Sequence, residues 1–310
     1  MRIAVIGAGG VGGYFGARLA HAGSDVAFLA RGAHLHAMQT SGLHIQSPRG
    51  DIHVKAVVAS DDPKALGPAD VVLFTVKLYD TESAAALLPP LLGPATVVIT
   101  LQNGVDSVDM LTKAFGREHV AGGVAHVQAA ITEPGVIRHT ALSLLIFGEL
   151  DNTKSPRLQA FYDHCRSAGF DAKLADDIQY ELWLKFVRLT ALSGMMAVTR
   201  SPLGVLRDDP DLWAMFQAAV MEAMAVAHAK GIRFPSSTFT DMLKHIGGMP
   251  PQAKSSMLED LEHGRRLELP WLNATLARIG DEVGVPTPIH RFIATTLKPF
   301  VQGKIQPHAS

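Results

Sequence analysis

Short β-branched runs alternate with alanine-rich amphipathic stretches through the first half of the chain. Ile3 to Ile6, Asp25 to Leu29, Val71 to Val76 and Val97 to Leu101 each read as a buried strand, with helices over Tyr14 to Ala22 and Thr81 to Leu88. Such alternation predicts an α/β unit, a parallel sheet covered on both faces. After Phe147 the pattern changes. Asp176 and Asp177 read as caps of a long helix that runs to about Arg200 and is stopped by Ser201-Pro202. Asp209-Pro210 opens a second helix, with proline at the first helical position and Gly231 just past the end. That helix is apolar nearly all round (Leu212, Met215, Phe216, Val220, Met224, Val226), as suits a domain centre or a dimer interface. Three more helical segments follow, near Gln252 to His263, Trp271 to Val283 and Ile289 to Val301. No strand pattern follows residue 175, so the expected division is an α/β domain over 1–175 and an all-α domain over 176–310.

A length of 310 residues agrees with two domains. The formal charge of −1 removes any general electrostatic case for nucleic acid or an anionic membrane. Charged residues make up only 18%, which favours large buried surfaces, a subunit interface among them. With Cys165 as the single cysteine, no intrachain disulfide or cysteine-based metal site can form. The 14 histidines show no H-E-x-x-H or similar spacing, so no metal is expected, and His126 and His139 read as structural. The first apolar run breaks into glycines too early for a signal peptide, and no run reaches the ~20 apolar residues of a membrane span. A cytoplasmic protein is expected.

Gly7-Ala8-Gly9-Gly10-Val11-Gly12 fits G-x-G-x-x-G, directly after a strand and at the start of a helix. In that setting the first glycine permits a tight turn, the second lets backbone approach a pyrophosphate, and the third allows close helix–strand packing. The N-terminal domain is therefore expected to be a Rossmann domain. The second strand ends Phe28-Leu29-Ala30-Arg31-Gly32, without the acid that NAD enzymes place on the ribose 2′-hydroxyl. A guanidinium there can grip a 2′-phosphate, which points to NADP(H); the plain alternative is a solvated loop arginine. Lys77 and Asn103 follow two later strands, where a cofactor or substrate would lie. Neither is decisive alone.

Gly7 to Gly16, Leu29-Ala30-Arg31-Gly32, Val76-Lys77, Leu101-Gln102-Asn103-Gly104 and Pro134-Gly135 together resemble the ketopantoate reductase (2-dehydropantoate 2-reductase) family. So do Trp183-Leu184-Lys185, Ser255-Ser256-Met257-Leu258-Glu259-Asp260 and Gly264-Arg265-Arg266-Leu267-Glu268, in order along essentially the whole chain. The resemblance implies a Rossmann domain followed by a helical domain like the C-terminal one of 6-phosphogluconate dehydrogenase. It also implies NADPH-dependent reduction of a small 2-oxo acid. By the same resemblance Lys185 is the general acid, Glu268 holds the substrate hydroxyl region and Ser256 contacts the carboxylate; Asp260, four residues on, shares a helix face with Ser256 and could reach the same ligand. Asn103 is then in the active site, and Gly7, Gly9, Gly10, Val11, Gly12, Arg31 and Lys77 serve the cofactor.

Hydride delivery to a ketone develops negative charge on oxygen, and a partly buried ammonium can both stabilise and protonate it. A plainer role for Lys185 is an i,i+4 surface pair with Glu181. Leu269-Pro270-Trp271-Leu272-Asn273-Ala274 departs from the acidic and Asn-Gly pattern that follows the glutamate in the family, and two single positions depart as well. Leu189 and Ser193, four and eight residues after Lys185, replace asparagines that line the family's substrate pocket. Three functions stay open: ketopantoate reduction, reduction of a more apolar 2-oxo acid, and a non-catalytic NADP-binding sensor.

Overall fold

The computed structural model describes residues 1–304, which divide into two units. Unit one comprises Met1–Asn103 and Ser107–Leu182; unit two comprises Gly104–Asp106 and the chain from Trp183 onward.

Unit one begins β1 (Arg2–Ile6), α1 (Gly10–His21), β2 (Asp25–Leu29), α2 (Gly32–Ser41), β3 (Leu43–Gln46), β4 (Ile52–Val54) and β5 (Val58–Ser60). It continues with β6 (Ala69–Phe74), α3 (Thr81–Ala85), β7 (Leu92–Thr100) and α4 (Asp106–Phe115). Next come β8 (Val120–Glu133), β9 (Val136–Glu149), α5 (Pro156–Ser167), β10 (Asp171–Leu174) and the start of α6 (Ile178–Thr199). The strands form one sheet in the order β4-β3-β9-β8-β7-β6-β1-β2-β5, with β10 also paired to β9. The stretch from β8 to β5 is parallel throughout, and β8 meets β9 antiparallel. Val71, Val72, Leu73 and Phe74 are fully buried, because helices cover both faces of a parallel sheet and alternate side chains both need to be apolar.

The four predicted strands are present, within a few residues of their expected ends. The β8–β9 hairpin was not anticipated from the sequence, nor were β3, β4, β5 and β10. Small residues interrupt the apolar runs of the hairpin strands, and one end of β8 is exposed. Gly122 and Gly123 belong there because a Cβ would strike Ile178 at 2.6 Å and Leu101 at 2.5 Å.

In unit two α6 is followed by α7 (Leu203–Asp208), α8 (Pro210–Ala229), α9 (Thr238–Gly247), α10 (Ser256–Glu262), α11 (Asn273–Val283) and α12 (Pro288–Leu297). Of the two expected caps of α6, Asp177 serves: it accepts the Tyr180 amide at 3.0 Å, while Asp176 pairs with Lys154. The boundary between units falls within α6, at Leu182/Trp183, rather than ahead of the helix at 175. One helix can run through a boundary because its apolar positions change core along its length: Ile178 and Leu182 pack in unit one, Phe186 and Val187 in unit two. Asp209 caps α8 as expected, accepting the amides of Asp211 and Leu212 at 3.0 and 2.9 Å. α8 is not buried all round. Phe216, Val220, Ala223 and Val226 enter the core, whereas Met215 and Met221 are 45% and 54% exposed. The expected helix over 252–263 is only α10, and α7 and α9 went unpredicted.

α12 is fixed by a carboxylate from α8. Glu222 accepts the amides of Ile289 at 2.9 Å and His290 at 3.2 Å, and contacts Nδ1 of the fully buried His290 at 3.0 Å. Burial holds the imidazole below its ordinary pKa, against the opposing pull of Glu222. Removing this carboxylate leaves two helix N-terminal amides and one imidazole nitrogen unpartnered. Glu222→Ala should destabilise the protein by about 1–3 kcal/mol, read as a lower thermal midpoint; an unchanged midpoint would contradict the role given to Glu222.

Candidate functional site

The cofactor candidates of unit one gather at one edge because their strands end in register. Ile6 of β1 is paired with Leu29 of β2 and Phe74 of β6, and Phe74 with Thr100 of β7. Gly7, Arg31, Lys77 and Asn103 therefore follow strand ends that lie side by side. Strand order reverses at β1, so this edge is the topological switch point, where open α/β sheets bind ligands.

The glycine turn is crowded at Gly7 and Gly12 and open at Gly9. Gly7 has φ +97°, and a Cβ there would meet Val76 at 3.0 Å. At Gly12 a Cβ would fall 2.3 Å from Thr75 Oγ1 and 2.4 Å from the Gly7 carbonyl. Thr75 closes the turn by donating its hydroxyl toward the carbonyls of Ile6 and Gly7 at 2.9 and 2.7 Å. Gly9, the residue before α1, has nothing within 4 Å of its Cβ position, so backbone there is open to a ligand at the positive end of the helix. Gly10 answers to a different need: a Cβ would sit 2.0 Å from the Ala129 carbonyl of β8. Arg31 is exposed and immediately precedes α2.

Gln102, quoted in the sequence motif without a role, joins two of these strand ends. It is buried, and its Nε2 donates to the Val76 carbonyl at 3.1 Å and the Thr81 hydroxyl at 2.8 Å. Its neighbours Lys77 and Asn103 thereby share one brace. His34 acts similarly on the other flank, with Nδ1 accepting the Gly135 amide at 3.0 Å. Both are uncharged brace residues that no spacing rule would select.

In unit two Lys185 lies on α6 among partly exposed positions. Burial of its ammonium, reinforced by the nearby Arg188 guanidinium and opposed by Glu268, lowers its pKa to about 8. Glu181, the i,i+4 partner in the plainer alternative, is held instead by Lys173 at 2.7 Å. Glu268 is buried, 5% exposed, just before a short turn at Leu269–Trp271. Leu189 is partly exposed. Ser193 is buried, and its hydroxyl donates to the Leu189 carbonyl at 2.5 Å. Ser255, not Ser256, caps α10 by accepting the Leu258 amide at 3.2 Å, which leaves Ser256 exposed at the first helical position. Asp260 is buried against Arg265, 2.7 Å away, and so does not share an open face with Ser256. Asn273 was noted in the sequence only as part of a departing stretch. It is fully buried and donates to the Thr190 carbonyl of α6 at 3.0 Å, in space that the missing side chain of Gly194 leaves free.

A parallel sheet whose strand order reverses at β1, with a glycine turn open at Gly9, is the arrangement of a dinucleotide-binding Rossmann domain. The ketopantoate reductase PanE/ApbA family matches residues 3–152, and its C-terminal counterpart matches residues 177–301. A 2-dehydropantoate 2-reductase of Mesorhizobium japonicum is 32% identical over 93% of this chain and 94% of its own. The solved 2-dehydropantoate 2-reductase of Geobacter metallireducens superimposes with a TM-score of 0.91 at 31% identity, covering 96% of this chain and 99% of that one. A D-mandelate dehydrogenase solved with NADH and anilino(oxo)acetate shares the fold at 21% identity, with a TM-score of 0.88, 97% of this chain and 98% of that one being covered. The chain belongs to the ketopantoate reductase family of NADP-dependent oxidoreductases, and is an enzyme of that type.

Proposed function

We propose that this enzyme reduces 2-dehydropantoate to pantoate with NADPH, and that Lys185 is the proton donor. The observation that carries this reading is the lysine itself, an ammonium lowered to about 8 by burial, with Glu268 as its electrostatic counterpart. Such a group is still mostly protonated at neutral pH, yet gives up its proton far more readily than an ordinary lysine.

NADPH supplies the hydride when bound. The open backbone at Gly9 and the first amides of α1 would face its pyrophosphate, with Arg31 on the 2′-phosphate and Lys77 on phosphate or ribose. Lys185 polarises the ketone oxygen of the 2-oxo acid, stabilises the charge that grows there and transfers its proton to it. Glu268 opposes the loss of that proton in the free enzyme and faces the substrate hydroxyl region. Asn103 orients substrate or nicotinamide by its amide, and Ser256, exposed at the start of α10, is a further candidate substrate contact.

A second reading keeps the chemistry and changes the substrate to a more apolar 2-oxo acid. The apolar Leu189 favours it, as does Ser193, whose hydroxyl is spent on its own helix. The exposed methionines of α8 support a homodimer. A cytoplasmic setting agrees with the single thiol, Cys165, which burial pushes well above its usual pKa and keeps inert.

NADPH oxidation followed against a panel of 2-oxo acids tests both readings. Turnover of ketopantoate is expected, and Lys185→Met should lower kcat by about 10²–10⁴-fold with little change in NADPH affinity. No turnover of any 2-oxo acid, or near-normal turnover by the variant, would overturn the proposal. Cofactor choice is checked separately by equilibrium binding. The wild type should prefer NADPH over NADH by at least ~10-fold, about 1.4 kcal/mol, and Arg31→Ala should erase most of the gap by weakening NADPH alone. Equal affinity in the wild type would count against Arg31.

A further inference from the structure

From Trp183 to Ser193, α6 has one accessible face. Leu184, Lys185, Arg188, Leu189 and Leu192 are partly exposed, and the other positions of that stretch are buried. The spacing of three and four residues places these five side by side along the helix. Arg188 is thus the polar neighbour one turn beyond Lys185, and Leu189 is the apolar one.

Two cations at i and i+3 repel each other, and burial raises the cost. It lowers the pKa of Arg188 as well as that of Lys185. Arg188 also reaches His245 of α9, whose pKa is lowered first by burial and then by the guanidinium. Two neighbouring cations favour an anionic ligand group such as a carboxylate.

The amide donors of the family pattern are missing from this face, since Leu189 has no polar atom and Ser193 is turned to its own backbone. A 2-oxo acid carries its carboxylate on the carbon next to the ketone. The group that grips the carboxylate must therefore lie within a few ångström of the group that protonates the ketone, and adjacent turns of one helix satisfy this. A guanidinium offers two parallel N–H donors that match a carboxylate's two oxygens. Resting on the function proposed above, we propose that Arg188 binds the substrate carboxylate and selects 2-oxo acids over neutral ketones.

The test uses ketopantoate as substrate and oxamate, a non-reducible 2-oxo acid analogue, as competitive inhibitor. Arg188→Met should raise both the KM and the oxamate inhibition constant by at least ~30-fold, about 2 kcal/mol, with a smaller loss in kcat and unchanged NADPH affinity. Arg188→Lys, which keeps the charge but not the fork, should recover part of the loss and guards against a variant that merely misfolds. Removing a cation beside Lys185 should also move the alkaline limb of the kcat/KM profile to higher pH, a shift that a packing role would not produce. Unchanged KM and inhibition constants in Arg188→Met, with Ser256→Ala raising them instead, would assign the carboxylate to α10 and overturn the proposal. A wild type inactive on every 2-oxo acid would remove the underlying function and this inference together, whereas an active wild type with an unaffected Arg188→Met removes this inference alone.

Discussion

Taking the ammonium of Lys185 out of water is the interaction on which unit two turns. Desolvation disfavours the charged form, a neighbouring guanidinium disfavours it further, and Glu268 pulls the other way. The balance leaves a cation that is stable at neutral pH and ready to lose a proton. It persists only if α6 stays in place, and the surrounding packing serves that end. Asn273 ties α11 to the Thr190 carbonyl, and Phe186 and Val187 fill the core beneath. Glu222 fixes α12 against α8 with three contacts.

Unit one solves a different problem. A dinucleotide needs backbone donors and open space at a few points, not buried charge. Four strands ending in register supply the edge, and Thr75 and Gln102 brace the turns that leave it. The same turn is crowded on its inner side, where Gly7 and Gly12 exclude a side chain, and open on its outer side at Gly9. Opposite steric demands within six residues explain why glycine recurs there.

Legibility in the sequence followed the strength of local periodicity. The doubly covered strands were readable because both faces are apolar, and α6 and α8 were bounded correctly by Asp177, Ser201-Pro202 and Asp209-Pro210. The β8–β9 hairpin was not, since its glycines answer to Ile178 and Leu101, contacts distant in sequence. The division expected at 175 follows helix onset, as does the C-terminal family match from residue 177, whereas the two cores part at Leu182/Trp183 inside α6. Lys185 and Glu268 were nameable only through family resemblance, and spacing favoured a pair between Glu181 and Lys185 until Lys173 was seen to hold Glu181. Ser193 and Asp260 were expected to border the pocket; which way each points depends on a backbone carbonyl and on Arg265, and periodicity records neither.

The measurement closest to the central claim is the pH dependence of kcat/KM for NADPH oxidation in the wild type and in Lys185→Met. Lys185 acts protonated, and its lowered pKa places the loss of that proton near pH 8. Activity should therefore hold at neutral pH, fall as pH rises through about 8 with the slope of one proton, and show no such limb in the residual activity of the variant. A wild-type profile that stays flat to the pH of an ordinary lysine, about 10.4, or a limb that survives in Lys185→Met, would contradict the account.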